Sequence, residues 1–121
     1  MGAVIRASAI SEIDNELGSV DHATRAVQQC VTLAGLEMQD VDLLVNVGIY
    51  RDNNCCEPSM CSQIQHELGL HLDPNQFLAR KTTFSFDLMN GACGFLSAIQ
   101  VVSSILHNGG AGCAVVVSSD A

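Results

Sequence analysis

Cys93 stands where a thiol can become nucleophilic. It lies in Thr83-Phe84-Ser85-Phe86-Asp87-Leu88-Met89-Asn90-Gly91-Ala92-Cys93-Gly94-Phe95, where an apolar run meets a small-residue turn and then a long apolar helical pattern. That order reads as strand, sharp turn and helix. A cysteine there sits at the helix N-terminus, where unpaired backbone N–H groups and the helix dipole favour the thiolate. Asn90 and Gly91 are turn formers, and the N–H groups near the helix start are suited to holding a carbonyl oxygen. Asp87 is placed to cap or brace the turn. The competing reading of Cys93 is a small buried packing residue. A hydrolase-type elbow, Gly-x-nucleophile-x-Gly, is matched only in its first half by Gly91-Ala92-Cys93, because Phe95 occupies the final glycine position.

The other candidate groups carry less chemistry. Cysteines fall at positions 30, 55, 56, 61, 93 and 113, with neither a Cys-x-x-Cys framework nor histidines at zinc-ligand spacing, so free thiols and no metal are expected. Cys55 and Cys56 are adjacent, and with Cys61 they find no suitably spaced fourth ligand. Cys30 and Cys113 fall inside helix and strand patterns as packing residues. His66 and His71 read as solvated or hydrogen-bonded side chains rather than catalytic ones.

The elements that must position Cys93 follow from composition and pattern. The chain has 121 residues, 48% hydrophobic and 15% charged, enough for one domain with a surplus of apolar surface. A formal charge of −8 with only five Lys and Arg argues against nucleic-acid binding. No apolar run of about 18 residues and no basic-then-apolar leader is present, so a membrane span and a secretory signal are not expected, and the chain reads as cytoplasmic.

In order, Ala3-Val4-Ile5-Arg6-Ala7-Ser8-Ala9-Ile10 reads as a first strand and residues 11–19 as a connection. Asp21 is positioned to cap a helix over residues 22–36, whose stripe is Ala23, Ala26, Val27, Cys30, Val31 and Ala34, with Gly35 at its end. Residues 43–50 form a continuous apolar run, as in a parallel strand covered on both faces. Arg51-Asp52-Asn53-Asn54 has turn composition, and Pro58 suits the first turn of a helix running to Gly69. Residues 71–81 form a loop before the Cys93 strand. Residues 95–106 are apolar around most of a helical circumference, the pattern of a helix enclosed by protein, ended by Asn108-Gly109-Gly110. Cys113-Ala114-Val115-Val116-Val117-Ser118-Ser119 is a further buried strand. The nearby glycines precede a strand rather than follow one, which makes a poor phosphate cradle. The alternation gives an α/β domain with a mostly parallel sheet.

These residues carry a resemblance. Phe86-Asp87-Leu88, a few small residues, Cys93-Gly94-Phe95, Ala98, and a helix closed by Gly109 before Ala114-Val115-Val116-Val117-Ser118-Ser119-Asp120 resemble the 3-oxoacyl-acyl-carrier-protein synthase III branch of the thiolase superfamily. Ala23-Thr24-Arg25-Ala26, Ala34-Gly35-Leu36, Asp42-Leu43-Leu44-Val45, Cys61-Ser62-Gln63-Ile64-Gln65 and Leu68-Gly69-Leu70 follow in the family's order. The match spans about residues 20–121.

The resemblance implies a thiolase-like fold in which two similar α/β halves enclose helices between five-stranded sheets. Residues 1–121 would be the N-terminal half-domain, with one helix buried between the halves and the C-terminal half outside this chain. It also implies that Cys93 takes an acyl group from an acyl-CoA or acyl-carrier-protein thioester, with no permanently bound cofactor, before condensation with a malonyl thioester. The family's second half supplies a His and an Asn for that step, and none of His22, His66, His71 or His107 matches them. The expected partners are a complementary half, acyl carrier protein or CoA, and a dimer or higher oligomer, so the chain reads as a fragment, a cleaved piece or one subunit of a split enzyme. The alternative is a non-catalytic subunit of a thiolase-like heteromer. Two features depart from the family: the segment between first strand and first helix is short, and a gapless match puts Ala92, not Cys93, at the nucleophile position. One step along an α-helix rotates a side chain by about 100° with ~1.5 Å of rise. A turn lengthened at Asn90-Gly91 would restore the thiol.

Overall fold

The computed structural model describes residues 3–75 and 82–120. Among them, three parallel strands, β1 (Leu43–Asn46), β2 (Phe84–Asp87) and β3 (Ala114–Val117), form a sheet in the order β2-β1-β3. Helices α1 (Ser19–Leu33), α2 (Met60–Leu68) and α3 (Gly94–His107) connect and cover it. The central strand is buried at all four positions. Its alternate side chains serve opposite faces, which is why the sequence there is a continuous apolar run. Leu44 joins Ala23, Val27 and Val31 of α1 and Met60, Cys61 and Ile64 of α2 in one core cluster. Leu43, Val45 and Val47 join Ala98 and Val102 of α3 in the other. Strand β3 divides in the same way, with Val115 and Val117 on the first side and Ala114 and Val116 on the second.

Helix ends are set by local chemistry at one terminus and by distant chemistry at the other. The glycines Gly35, Gly69 and Gly109 close the three helices, each helix ending with a pair of reversed backbone hydrogen bonds such as Leu36 N–H to Val31 O at 3.1 Å. At the start of α1, the Ser19 and Val20 N–H groups donate to the Asp52 carboxylate at 2.7 and 3.0 Å. The expectation that Asp21 caps this helix is corrected. Asp21 lies within the first turn, and its carboxylate accepts a longer bond, 3.4 Å, from Gly18 N–H. Helix α2 begins after Ser59, whose hydroxyl accepts from Ser62 N–H, so Pro58 stands just outside the helix.

The strand expected at residues 3–10 is not formed. That segment runs along the outside of α1, where Cys30 Sγ donates to Ala7 O, and it leaves Val4, Ile5 and Ile10 exposed. The described residues supply three of the five expected strands. Helix α3 also differs from the enclosed helix anticipated. Gly94, Ala98 and Val102 are buried against the sheet, whereas Phe95 and Leu96 are 50% and 70% exposed, because among the described residues one side of α3 meets protein. The loop expected at residues 71–81 lies partly outside the described residues.

Candidate active site

The carboxyl ends of the three strands converge on one rim, the position where open α/β sheets present their ligand sites. Asp87 closes β2 and is fully engaged. Its Oδ1 accepts from Cys61 N–H at 2.8 Å and Asn46 Nδ2 at 3.1 Å, and its Oδ2 accepts from Met60 N–H at 3.2 Å and Arg51 Nη2 at 3.1 Å. The residue anticipated as a brace of the turn therefore also caps α2, across the sheet. Beyond it Leu88 N–H continues the pairing to Asn46 O at 2.8 Å.

The chain then turns sharply. Gly91 has φ +53, a conformation that side-chain-bearing residues rarely adopt, and Gly91–Cys93 form a single 3₁₀ turn closed by Cys93 N–H to Asn90 O at 3.0 Å. Asn90 Nδ2 donates to Ser97 Oγ at 2.9 Å, pinning the turn to the first turn of α3. Gly94 is buried against β1; a Cβ there would approach Val47 Cβ to 3.3 Å, so the helix enters with its backbone close to the sheet.

Cys93 is exposed at the position preceding α3, and no side chain among the described residues caps that helix. A 14-residue helix thus presents its uncapped amino end beside an accessible sulfur. Ala92 is exposed in the same turn. Because the turn is 3₁₀, the two positions differ by about 120° and ~2 Å, somewhat more than an α-helical step.

The remaining sequence candidates are dispersed. Cys55, Cys56 and Cys61 direct their Sγ atoms to three different carbonyls, those of Glu57, Asn54 and Leu44. Cys61 is buried, and burial, reinforced by the Asp87 carboxylate, pushes its thiol up to about 12. Cys113 is also raised, by burial and then by Asp42 and Asp40. His71 bonds Thr83 through Nδ1, His22 lies between Ser11 Oγ and Asp14 O, and His66 is exposed on α2. His107 occupies the last turn of α3, at the far end from Cys93. Among the described residues no three of His, Cys, Asp and Glu form a metal-ligand group, and no helix is long and apolar enough to cross a membrane.

Two surface cavities lie elsewhere. One, of about 470 Å³, runs between residues 9–17, His22 and Ser118-Ser119-Asp120; the other, of about 620 Å³, involves Asp42, Phe84 and the loop 109–112. Neither includes Cys93, which stands on an open surface.

Sequence reasoning did not anticipate Arg51. Its guanidinium bonds Asp87, Gly48 O at 2.9 Å, Ile49 O at 3.2 Å, and the sulfur atoms of Met60 and Met89 at 3.5 and 3.2 Å. Arg51 sits in a stretch of turn composition, and only the fold brings residue 87 to it.

The same fold and order of residues recur in known proteins. A beta-ketoacyl-acyl-carrier-protein synthase III of Rickettsia massiliae is 30% identical over 87 residues, covering 72% of this chain and 24% of the relative. The solved 3-oxoacyl-acyl-carrier-protein synthase III of Xanthomonas oryzae superposes with a TM-score of 0.73 at 27% identity, over 87% of this chain and 28% of that one. Over the residues it matches, the chain is similar to the synthase III branch of the thiolase-like proteins. A Cys-to-Ser variant of Xanthomonas campestris OleA, solved with bound lauric acid and lauroyl-CoA, shares the fold with a TM-score of 0.74 at 24% identity, over 88% of this chain and 28% of that one. No family model matches the chain. The chain spans about a quarter of the length of the relative it matches (24%).

Proposed function

We propose that Cys93 is the acyl-accepting nucleophile of a ketosynthase III-type acyltransferase. The observation that carries this reading is the exposed sulfur at the uncapped start of α3, on the rim formed by the carboxyl ends of the strands. The Cys93 thiolate attacks the carbonyl carbon of an acyl-CoA or acyl-carrier-protein thioester. Amides of the first turn of α3 stabilise the developing oxyanion. Collapse forms the Cys93 thioester and expels the carrier thiolate, which takes up a proton. In the second step a malonyl thioester loses CO₂, its carbon attacks the Cys93 acyl group, and the 3-oxoacyl thioester leaves with regeneration of the thiol. That step needs an acid-base residue and a wall closing the surface over α3, and both are assigned to protein complementary to residues 1–121. Docking of that complement onto Phe95 and Leu96, and pairing into a dimer or higher oligomer in the cytoplasm, belong to the same reading.

The second reading is a non-catalytic subunit that supplies sheet and interface. The position of Ala92 in the gapless match favours it. Incubation with lauroyl-CoA or acetyl-CoA, followed by peptide mass mapping, separates the two. A Cys93 adduct absent from Cys93→Ala supports the transferase. Absence of any adduct, alone and with the complementary part present, supports the subunit.

A further inference from the structure

We infer that Arg51 is a positioning residue for Cys93, a clamp that makes the loops after β1 and β2 a single rigid body. This deepens the reading of Cys93 as nucleophile and rests on it. The guanidinium and the Asp87 carboxylate form an ion pair at 3.1 Å with side chains only 13% and 16% exposed, so the pair is shielded from solvent on most sides. One arm, Nη1, holds the backbone carbonyls of Gly48 and Ile49 on its own loop. The other, Nη2, reaches both Asp87 and the Met89 sulfur on the loop that carries Cys93. The planar fork makes all of these contacts from one side chain, which an ammonium group on a flexible stem does not reproduce.

The clamp extends to the third loop. Asp120, after β3, accepts from Ile49 and Tyr50 N–H, the latter at 2.9 Å. Gly48 lies so close to β3's trailing loop that a Cβ would meet Ser119 O at 2.5 Å. Arg51 therefore ties a loop already fixed against β3 to the segment of residues 87–89. Four residues beyond Met89 stands Cys93, in a turn that Asn90 ties to Ser97. A nucleophile at the end of such a chain keeps a defined direction of attack without a contact of its own to Arg51.

The test pairs two reactions of the same sulfur in Arg51→Ala and Arg51→Lys. Acylation of Cys93 by lauroyl-CoA depends on orientation and falls about 10- to 100-fold in Arg51→Ala, whereas alkylation by iodoacetamide, a small reagent with no binding pose, changes by less than about threefold. Arg51→Lys, which keeps the charge and loses the fork, recovers only part of the acylation rate. Hydrogen exchange of amides 88–93 quickens in Arg51→Ala while that of α1 holds. Unchanged acylation, acylation and alkylation falling in step, or unchanged exchange at 88–93 overturns the clamp. If the wild-type protein accepts no acyl group under any condition, the nucleophile reading fails separately. Exchange then decides alone: faster at 88–93 in Arg51→Ala upholds the clamp, and unchanged exchange overturns it.

Discussion

The two faces of the sheet are finished to different degrees. On one, α1 and α2 bury Ala23, Val27, Val31, Met60, Cys61 and Ile64 against Leu44 and Val117, and both helices begin on carboxylates supplied from other elements, Asp52 and Asp87. On the other, among the described residues, α3 alone covers the sheet, its far side shows Phe95 and Leu96 to solvent, and its amino end has no side-chain cap. Edge residue Phe84, in contact with Phe86 at a centroid distance of 5.4 Å, is 66% exposed on the same side. A capped helix start has its amides spent on structure. At α3 the Gly94 N–H donates to Gly91 O, no side chain among the described residues caps the start, and the exposed Cys93 thiol stands there.

The contrast can be broken from the closed side first. Asp87→Ala removes the acceptor of the Met60 and Cys61 N–H groups at the start of α2 and leaves the Arg51 cation unpaired in a shielded site, so it costs about 3–5 kcal/mol. Urea unfolding monitored by circular dichroism measures this, and a loss under about 1 kcal/mol would mean that the brace adds little. Gly48→Ala comes next: its Cβ would stand 2.5 Å from Ser119 O, and forcing the two loops apart costs about 1–3 kcal/mol in the same assay.

A third effect is read against pH. Burial pushes the folded Cys61 thiol up to about 12, against the ordinary thiol value of 9.0 once unfolded. Between those values the unfolded chain releases a proton that the folded chain keeps. The stabilisation is therefore complete below pH 9.0 and is lost as pH rises towards about 12. Stability measured through that range falls in the wild type, and the Cys61 share of the slope disappears in Cys61→Ala. The smallest effect on folding belongs to the open side. Phe95→Glu and Leu96→Glu change unfolding free energy by only about 0.5 kcal/mol, yet they weaken association with the proposed complementary part as followed by sedimentation. A large destabilisation there would show that these side chains are already packed within the chain.

What the sequence revealed divides along similar lines. Strands β1 and β3, the turn at Asn90-Gly91 and helix α3 were legible because their signals are local: apolar runs, small residues, a closing Gly109. Caps were not, because the carboxylate that starts α1 is Asp52, more than thirty positions away, and Asp87 reaches Arg51 only after both strands have paired. Residues 3–10 misled because alanines, valine and isoleucines fit a strand anywhere, while the pairing that would make one depends on an available sheet edge. Cys93 was visible as a residue type at a turn. Its exposure, and the missing cap behind it, needed the fold.

That distinction between exposure and activation can be measured on the protein's own internal control. Cys56 is exposed like Cys93, but sits on an irregular loop with its sulfur directed to Asn54 O. Under limiting lauroyl-CoA, with all six cysteines mapped by peptide mass, the acyl group is expected on Cys93 well ahead of Cys56. Equal labelling of the two, or label on Cys56 first, would contradict the assignment of Cys93 as the activated nucleophile.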